Sequence, residues 1–498
     1  IREQPVQDLR VFVKFIIENA TYLEQLKGDF SSLSSTNATQ RITHLLRTFY
    51  IKIYEVPDKS EARTEQMMAS LLQFMLFQNS NIKFFAMGIL EILMNGDKQF
   101  KKIFIDQSGL EAILRLISEN QDLKLLQQIL STLVTLIIAE QTYAENFVHL
   151  DGINLMVTQF DNLQPSSDDL YHALLTLKLV SDIPPTLAYM DLDRAISLAI
   201  RGMLPPLIPQ KTKTGGCISG SALDTHWWNI VNSLGFLRNV CALNEQAKIY
   251  FTQLDGGGTI SRLVELGTQC FDLLFCSSST STPSTSTTNI AASSSTYNVE
   301  QIFCINAEIG SVEIGPERTQ TLNTMLNDCL FLLALVNKEY DNKQNDEIIR
   351  SVSEKLAADE RVMLLYQFIL KLDETEFQRS VLTSLQRILN CGVSLPVESR
   401  GVRLAENLLK YFSNRNTQTH LKKIAVEVLI GLVCEQSGLH LAVITPLLRE
   451  YYQLPELMDG VLDVDLCVAI MKLTKELTNE FYQREVIDIP ILVYFRFN

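Results

Sequence analysis

Six histidines and nine cysteines are the residues here that could bind a metal, move a proton or attack a carbonyl. His44, His149, His172, His226, His420 and His440 form no HxxxH pair, and no carboxylate or cysteine pattern beside them suits a metal. His149 and His226 sit in apolar surroundings where packing is the expected role. Cys217, Cys241, Cys270, Cys276, Cys304, Cys329, Cys391, Cys434 and Cys467 are odd in number, scattered, and without a CxxC step. That pattern argues for reduced, buried thiols and for neither a disulfide framework nor a zinc site. The glycine run at Leu254–Ile260 has the look of a phosphate cradle. A phosphate loop follows a strand and carries a lysine, however, and this one joins two helical stretches, so it is read as an inter-helix turn. No GxSxG, kinase or paired-carboxylate motif is present. The sequence is therefore read as non-catalytic, with no cofactor, no metal and no small-molecule substrate.

Binding is a better prospect than catalysis. The only two tryptophans, Trp227 and Trp228, are adjacent. Neighbouring helical residues point about 100° apart, so one ring is expected in the core and the other at the surface, where Trp serves as a binding anchor. Asn239 and Arg238 follow on the same stretch, and an Asn amide offers both the donor and the acceptor that a peptide unit requires. These four residues are the candidate partner-binding set. A structural hydrogen bond between helices is the competing role for Asn239.

The elements that must position them recur along the chain. Phe104–Ile117 reads as a short approach helix, a turn at Gly109 and a second helix, followed by the apolar run Leu123–Ala139. Phe147–Val157 repeats the pattern around Gly152, followed by Ala173–Val180. The two glycines stand 43 residues apart, a spacing of the helical-repeat kind. A third copy runs from Val231–Leu243 through Asn244–Leu254 to a turn at Gly256. Each helix is apolar on one stripe, as at Leu123, Leu126, Ile129, Leu130 and Leu133, so each must stack on neighbours to bury it. Further helices are expected at 6–27, 40–55, 65–77, 82–95, 320–337, 361–371, 377–390, 402–412, 418–435, 441–453 and 462–480.

Over residues 225–266 the sequence resembles the armadillo family: a long helix ending in Leu-x-Asn-Val, a polar link, and a Gly turn opening an Ile-x-x-Leu-Val-x-Leu helix. The resemblance is fair over 84–160 and only periodic elsewhere. It implies an all-α, right-handed superhelix of the armadillo/HEAT kind with about eight or nine irregular repeats, working as a protein-binding scaffold. It also places Asn239 where many armadillo repeats hold the backbone of an extended peptide. Gly235 stands where peptide-binding arrays of the nuclear-import type carry Trp, and Ile92, Thr135 and Gly431 stand where further asparagines would, so a nuclear-import adaptor is not expected. A structural subunit of a nuclear RNA-processing assembly (virilizer-like) and an armadillo-type regulator of a small GTPase are the alternatives, with an unrecognised enzyme last.

Composition sets the remaining bounds. The 498 residues are 46% apolar and 20% charged, with a net charge of −14. A net acidic chain lacks the basic footprint of a nucleic-acid binder, and Lys98, Lys101 and Lys102 are expected on a solvated helix face. No apolar run reaches the roughly 20 residues of a membrane span. A cytoplasmic or nuclear protein with protein partners is expected, and a first residue of Ile suggests a piece of a longer chain. Repeats are expected over 1–276, with a Pro/Gly loop at 204–223. A disordered Ser/Thr insertion at 277–296 precedes further repeats over 297–485 and an apolar tail at 486–498.

Overall fold

The computed structural model describes residues 4–25, 35–120, 122–205, 207, 220–254, 258–276, 315–336, 346–370, 375–393, 404–405, 407–408, 411, 417–435, 468–469 and 472–473. Among the described residues there is helix and no strand. The chain divides into two compact units, Ile1–Leu243 and Asn244–Asn498. The Ser/Thr-rich stretch at 277–296, the segment at 301–314 and the apolar tail lie outside the described residues, as does most of 204–219.

The first unit holds α1 (Gln4–Gln25), α2 (Ser35–Glu55), α3 (Glu65–Met75), α4 (Ser80–Met94), α5 (Lys98–Asp106) and α6 (Gly109–Glu119). It continues with α7 (Leu123–Ile137), α8 (Gln141–His149), α9 (Gly152–Leu163), α10 (Tyr171–Ser181), α11 (Leu192–Met203) and α12 (Gly220–Leu243). Their contacts form two series. In one, α2 packs on α4, α4 on α7, α7 on α10 and α10 on α12. In the other, α1 packs on α3, α3 on α6, α6 on α9 and α9 on α11, which returns to α12. Apolar stripes drive this stacking: Leu126, Ile129, Leu130 and Leu133 of α7 are all fully buried, as their spacing demands.

Side-chain caps fix where the helices begin. Thr64, Asn79, Asp97, Asp122 and Asp191 each accept a hydrogen bond from a backbone N–H in the first turn that follows, satisfying donors that the helix itself leaves open.

The 43-residue period has a geometric cause. In α5 the Phe104 ring folds over Gly109, and in α8 the Phe147 ring folds over Gly152. A Cβ on either glycine would sit 2.5 Å or 2.3 Å from that ring. The left-handed turn itself falls one residue earlier, at Ser108 (φ 58°) and Asp151 (φ 64°). The glycines thus serve close approach, and the residues before them carry the unusual backbone angles.

The second unit holds α13 (Glu245–Gln253), α14 (Gly258–Phe271), α15 (Pro316–Val336), α16 (Asp346–Ala358), α17 (Glu360–Ile369), α18 (Thr375–Asn390) and α19 (Thr419–Glu435). Here α14 packs on α15, α15 on α18 and α18 on α19, while α13 packs on α16 and α14 on α17. Two helices, α11 and α16, have no counterpart in the sequence reading. Pro184 and Pro185 obscured the approach to the first, and polar residues dilute the stripe of the second. Helices expected at 441–453 and 462–480 fall almost wholly outside the described residues.

One expectation is overturned. Lys101 does not lie on a solvated face: it is 7% exposed, and its Nζ donates to the Thr135 carbonyl at 2.8 Å. That carbonyl is among the last of α7, where no intrahelical donor remains and a cation is favoured. The same device recurs. Arg63 donates to the Leu93 carbonyl at 2.9 Å and the Asn95 carbonyl at 3.1 Å beyond α4, and Arg387 donates to the Ala334 carbonyl in the last turn of α15.

Candidate partner-binding site

The four residues singled out in the sequence all lie on α12, which packs on both α10 and α11. The helix begins at Gly220, inside the stretch expected as a loop at 204–223, so Trp227 and Trp228 stand two turns within it. Trp227 is 1% exposed, and its indole N–H donates to the Leu207 carbonyl at 2.9 Å. Trp228 is 47% exposed. The expectation of one buried and one surface ring thus matches the geometry, and the 100° step between neighbours explains it.

Further along α12, Gly235 faces α10. A Cβ there would meet Lys178 Cγ at 3.2 Å, so the missing side chain leaves a path for the lysine stem. Lys178 runs on to pair with Asp182 at 2.8 Å. Asp182 and Ser181 then receive Asn239: its Nδ2 donates to Asp182 Oδ1 at 2.7 Å and to Ser181 Oγ at 3.0 Å. Both donor hydrogens of the amide are therefore used inside the chain, and an incoming peptide would meet only its oxygen. Arg238 is half-buried beside it.

Asn239 is one of several such links. Gln128 Nε2 donates to Glu91 at 2.6 Å, with Ser131 Oγ donating to the same carboxylate at 2.8 Å. Gln127 Nε2 donates to Asp169 at 2.8 Å, and in the second unit Gln386 donates to Glu427. Each joins an amide on one helix to a carboxylate on, or at the end of, a helix packed beside it. Sequence reasoning missed these links because helical spacing does not say which polar pair will face across an interface. At the positions compared with Asn239, the Thr135 hydroxyl bonds back to the Ser131 carbonyl at 3.2 Å, and Gly431 lies against Leu389.

α12 also buries polar groups. His226, Asn229, Asn232 and Ser233 are all buried, and among the described residues the Nδ2 of Asn232 and the Oγ of Ser233 have no hydrogen-bond partner. Gly202 of α11 lies so close that a Cβ there would sit 2.4 Å from Ser233 Oγ.

The other chemistry-bearing residues are dispersed. Among the described residues no three His, Cys, Asp or Glu side chains gather as a metal site would require. His149 rests edge-on against Tyr189, with ring centroids 4.4 Å apart. Cys241, Cys270 and Cys329 are buried. Burial pushes the Cys270 thiol up to about 12 and raises Cys329 as well, so neither supplies a thiolate nucleophile near neutral pH.

No protein-family model matches the chain, and no curated protein matches it in sequence. Among solved structures, a crystal structure of an engineered protein superposes with a TM-score of 0.48 at 12% identity, over 94% of this chain and 99% of that one. A second engineered protein gives 0.39 at 12% identity, over 66% of this chain and 98% of that one. Among the described residues, no helix is long and apolar enough to cross a membrane.

Proposed function

We propose that this chain is an irregular armadillo-like superhelix, of about eight or nine repeats, that works as a non-catalytic scaffold holding protein partners in the cytoplasm or nucleus. The observation that carries the reading is Trp228, a large ring left half in water on a helix whose other tryptophan is fully buried. Exposed tryptophan is enriched at binding hot spots. Supporting it are the two series of stacked helices, which bury their apolar stripes against one another.

The anchor assignment shifts with the geometry. Trp228 takes the apolar role and Arg238 the polar one. Trp227 supports α12 from within, and Asn239 chiefly joins α12 to α10.

Affinity purification of the intact chain beside Trp228→Ala, with cross-linking to map contacts, tests this. Partners lost selectively from the variant, with cross-links on α12, are expected. An unchanged partner set, or cross-links confined to other helices, would remove Trp228 from the proposal.

A further inference from the structure

Two tripeptides, each running from a ring to a carboxylate, meet on the surface of the first unit. His149-Leu150-Asp151 links α8 to α9, and Tyr189-Met190-Asp191 leads into α11. One side chain holds them together. Asn154, in the first turn of α9, donates from Nδ2 to Asp151 Oδ1 at 2.6 Å and to the Tyr189 carbonyl at 3.4 Å. Its Oδ1 accepts from the Asp191 N–H at 2.8 Å. The short 3-10 helix Pro184–Tyr189 packs on both α8 and α10, so the backbone that carries the tyrosine is held by packing as well as by the amide.

The rings themselves face water. Tyr189 is 53% exposed, and the exposed His149 braces it edge-on, with the two planes at 78°. Asp151 and Asp191 are exposed too, and among the described residues neither forms an ion pair. Asp191 spends Oδ1 on capping α11, where it accepts from the Arg194 N–H, and Asn154 takes Oδ1 of Asp151. Neither α8, α9 nor the 3-10 helix carries a lysine or an arginine. The cations nearest in sequence are already engaged. Lys178 pairs with Asp182, and Arg194 turns to Asp161 and Thr158.

We propose that this corner receives an arginine side chain from a basic segment of a partner protein. Three features select that occupant. The exposed Tyr189 ring attracts a cation through its quadrupole. A guanidinium is planar, so it stacks on a ring while its N–H donors reach carboxylates beside it. Asp151 and Asp191 stand two residues from the two rings, tied to the same amide, with no cation of this chain paired to them. Because Asn154 sets the geometry beforehand, little ordering is left for the binding step. The corner lies on different helices from Trp228, so the two readings stand or fall separately.

The test uses the full chain and two fluorescent probes. One is a flexible glycine–serine peptide with several arginines; the other is its twin with citrulline, which keeps the shape without the charge. The arginine peptide is expected to bind at least about tenfold more tightly than the twin. Tyr189→Leu should weaken that binding about threefold or more, and Tyr189→Phe, which keeps the ring, should not. Asp151→Asn with Asp191→Asn should weaken it at least as much. The melting temperature of that pair should hardly move, since asparagine still caps α11 and tolerates the left-handed backbone of Asp151. Glu317→Gln with Glu347→Gln, on α15 and α16, removes the same charge elsewhere and should leave binding intact, as should Trp228→Ala. Equal binding of the two peptides, equal loss from the two pairs of charge changes, or parent-like binding by Tyr189→Leu would overturn the proposal. Binding that emerges only after Lys211 and Lys213 are both replaced by serine would overturn it too, by making a segment of this same chain the occupant.

Discussion

Asn239 on α12 donates to Asp182, just past the last residue of α10, at 2.7 Å. Lys178 reaches the same carboxylate at 2.8 Å by passing over Gly235. One acid therefore holds a cation from its own helix and an amide from the next, and the absence of a side chain at Gly235 is what lets the lysine through.

Replacing Asn239 with Ala should lower stability by about 1–3 kcal/mol, because two hydrogen bonds go and one of them is to a charged acceptor. Thermal melts of Asn239→Ala, Asp182→Ala and the double variant measure the coupling directly. A role confined to partner binding predicts no loss of stability at all, so an unshifted melt would rule out the inter-helix assignment.

The two tryptophans should separate cleanly. Trp227→Ala removes a buried ring and is expected to cost about 3–5 kcal/mol, while Trp228→Ala, at 47% exposure, should stay within about 0.5 kcal/mol of the parent, as surface changes usually do. Denaturant titration of both variants checks the contrast.

At the repeat junction, neighbouring residues should respond in opposite directions. Ser108 holds a left-handed conformation with φ 58°, so Ser108→Gly should raise stability by up to about 1 kcal/mol by relieving it. Gly109→Ala would press a methyl group onto the Phe104 ring and should cost about 1–3 kcal/mol. Adding Phe104→Leu to Gly109→Ala should recover part of the clash, and the recovery can be read from the same melts.

Asp272 gives a pH signature. It closes α14 in a π-helical turn, it is 7% exposed, and burial pushes its carboxyl up from 3.8 to about 7. A folded carboxyl that holds its proton more tightly than the unfolded one favours the folded state while protonated. The stability it contributes is therefore present below about pH 4, falls as pH rises towards about 7, and is absent above. Asp272→Asn should flatten that fall. Melts at acidic and mildly alkaline pH should show the parent losing more stability than the variant, and parallel curves would show that Asp272 does not titrate in this range.

The helical class, the 43-residue period and the split fates of the tryptophans were legible in the sequence. Each follows from local geometry: apolar residues at helical spacing must share a face, and adjacent helical residues must diverge. The roles of Lys101 and Gly109 were not legible, and for Asn239 the sequence left a peptide contact and an inter-helix hydrogen bond both open. Lys101 looks like surface charge until the carbonyl end of α7 is placed above it. Gly109 looks like a bend until the Phe104 ring is seen covering it, and the choice between the two roles of Asn239 waits for Asp182 to arrive from 57 residues away. Sequence spacing specifies which side of a helix a residue occupies. Only the packing of one helix on the next decides which carbonyl, ring or carboxylate it meets there, because those partners are set by helix register and crossing.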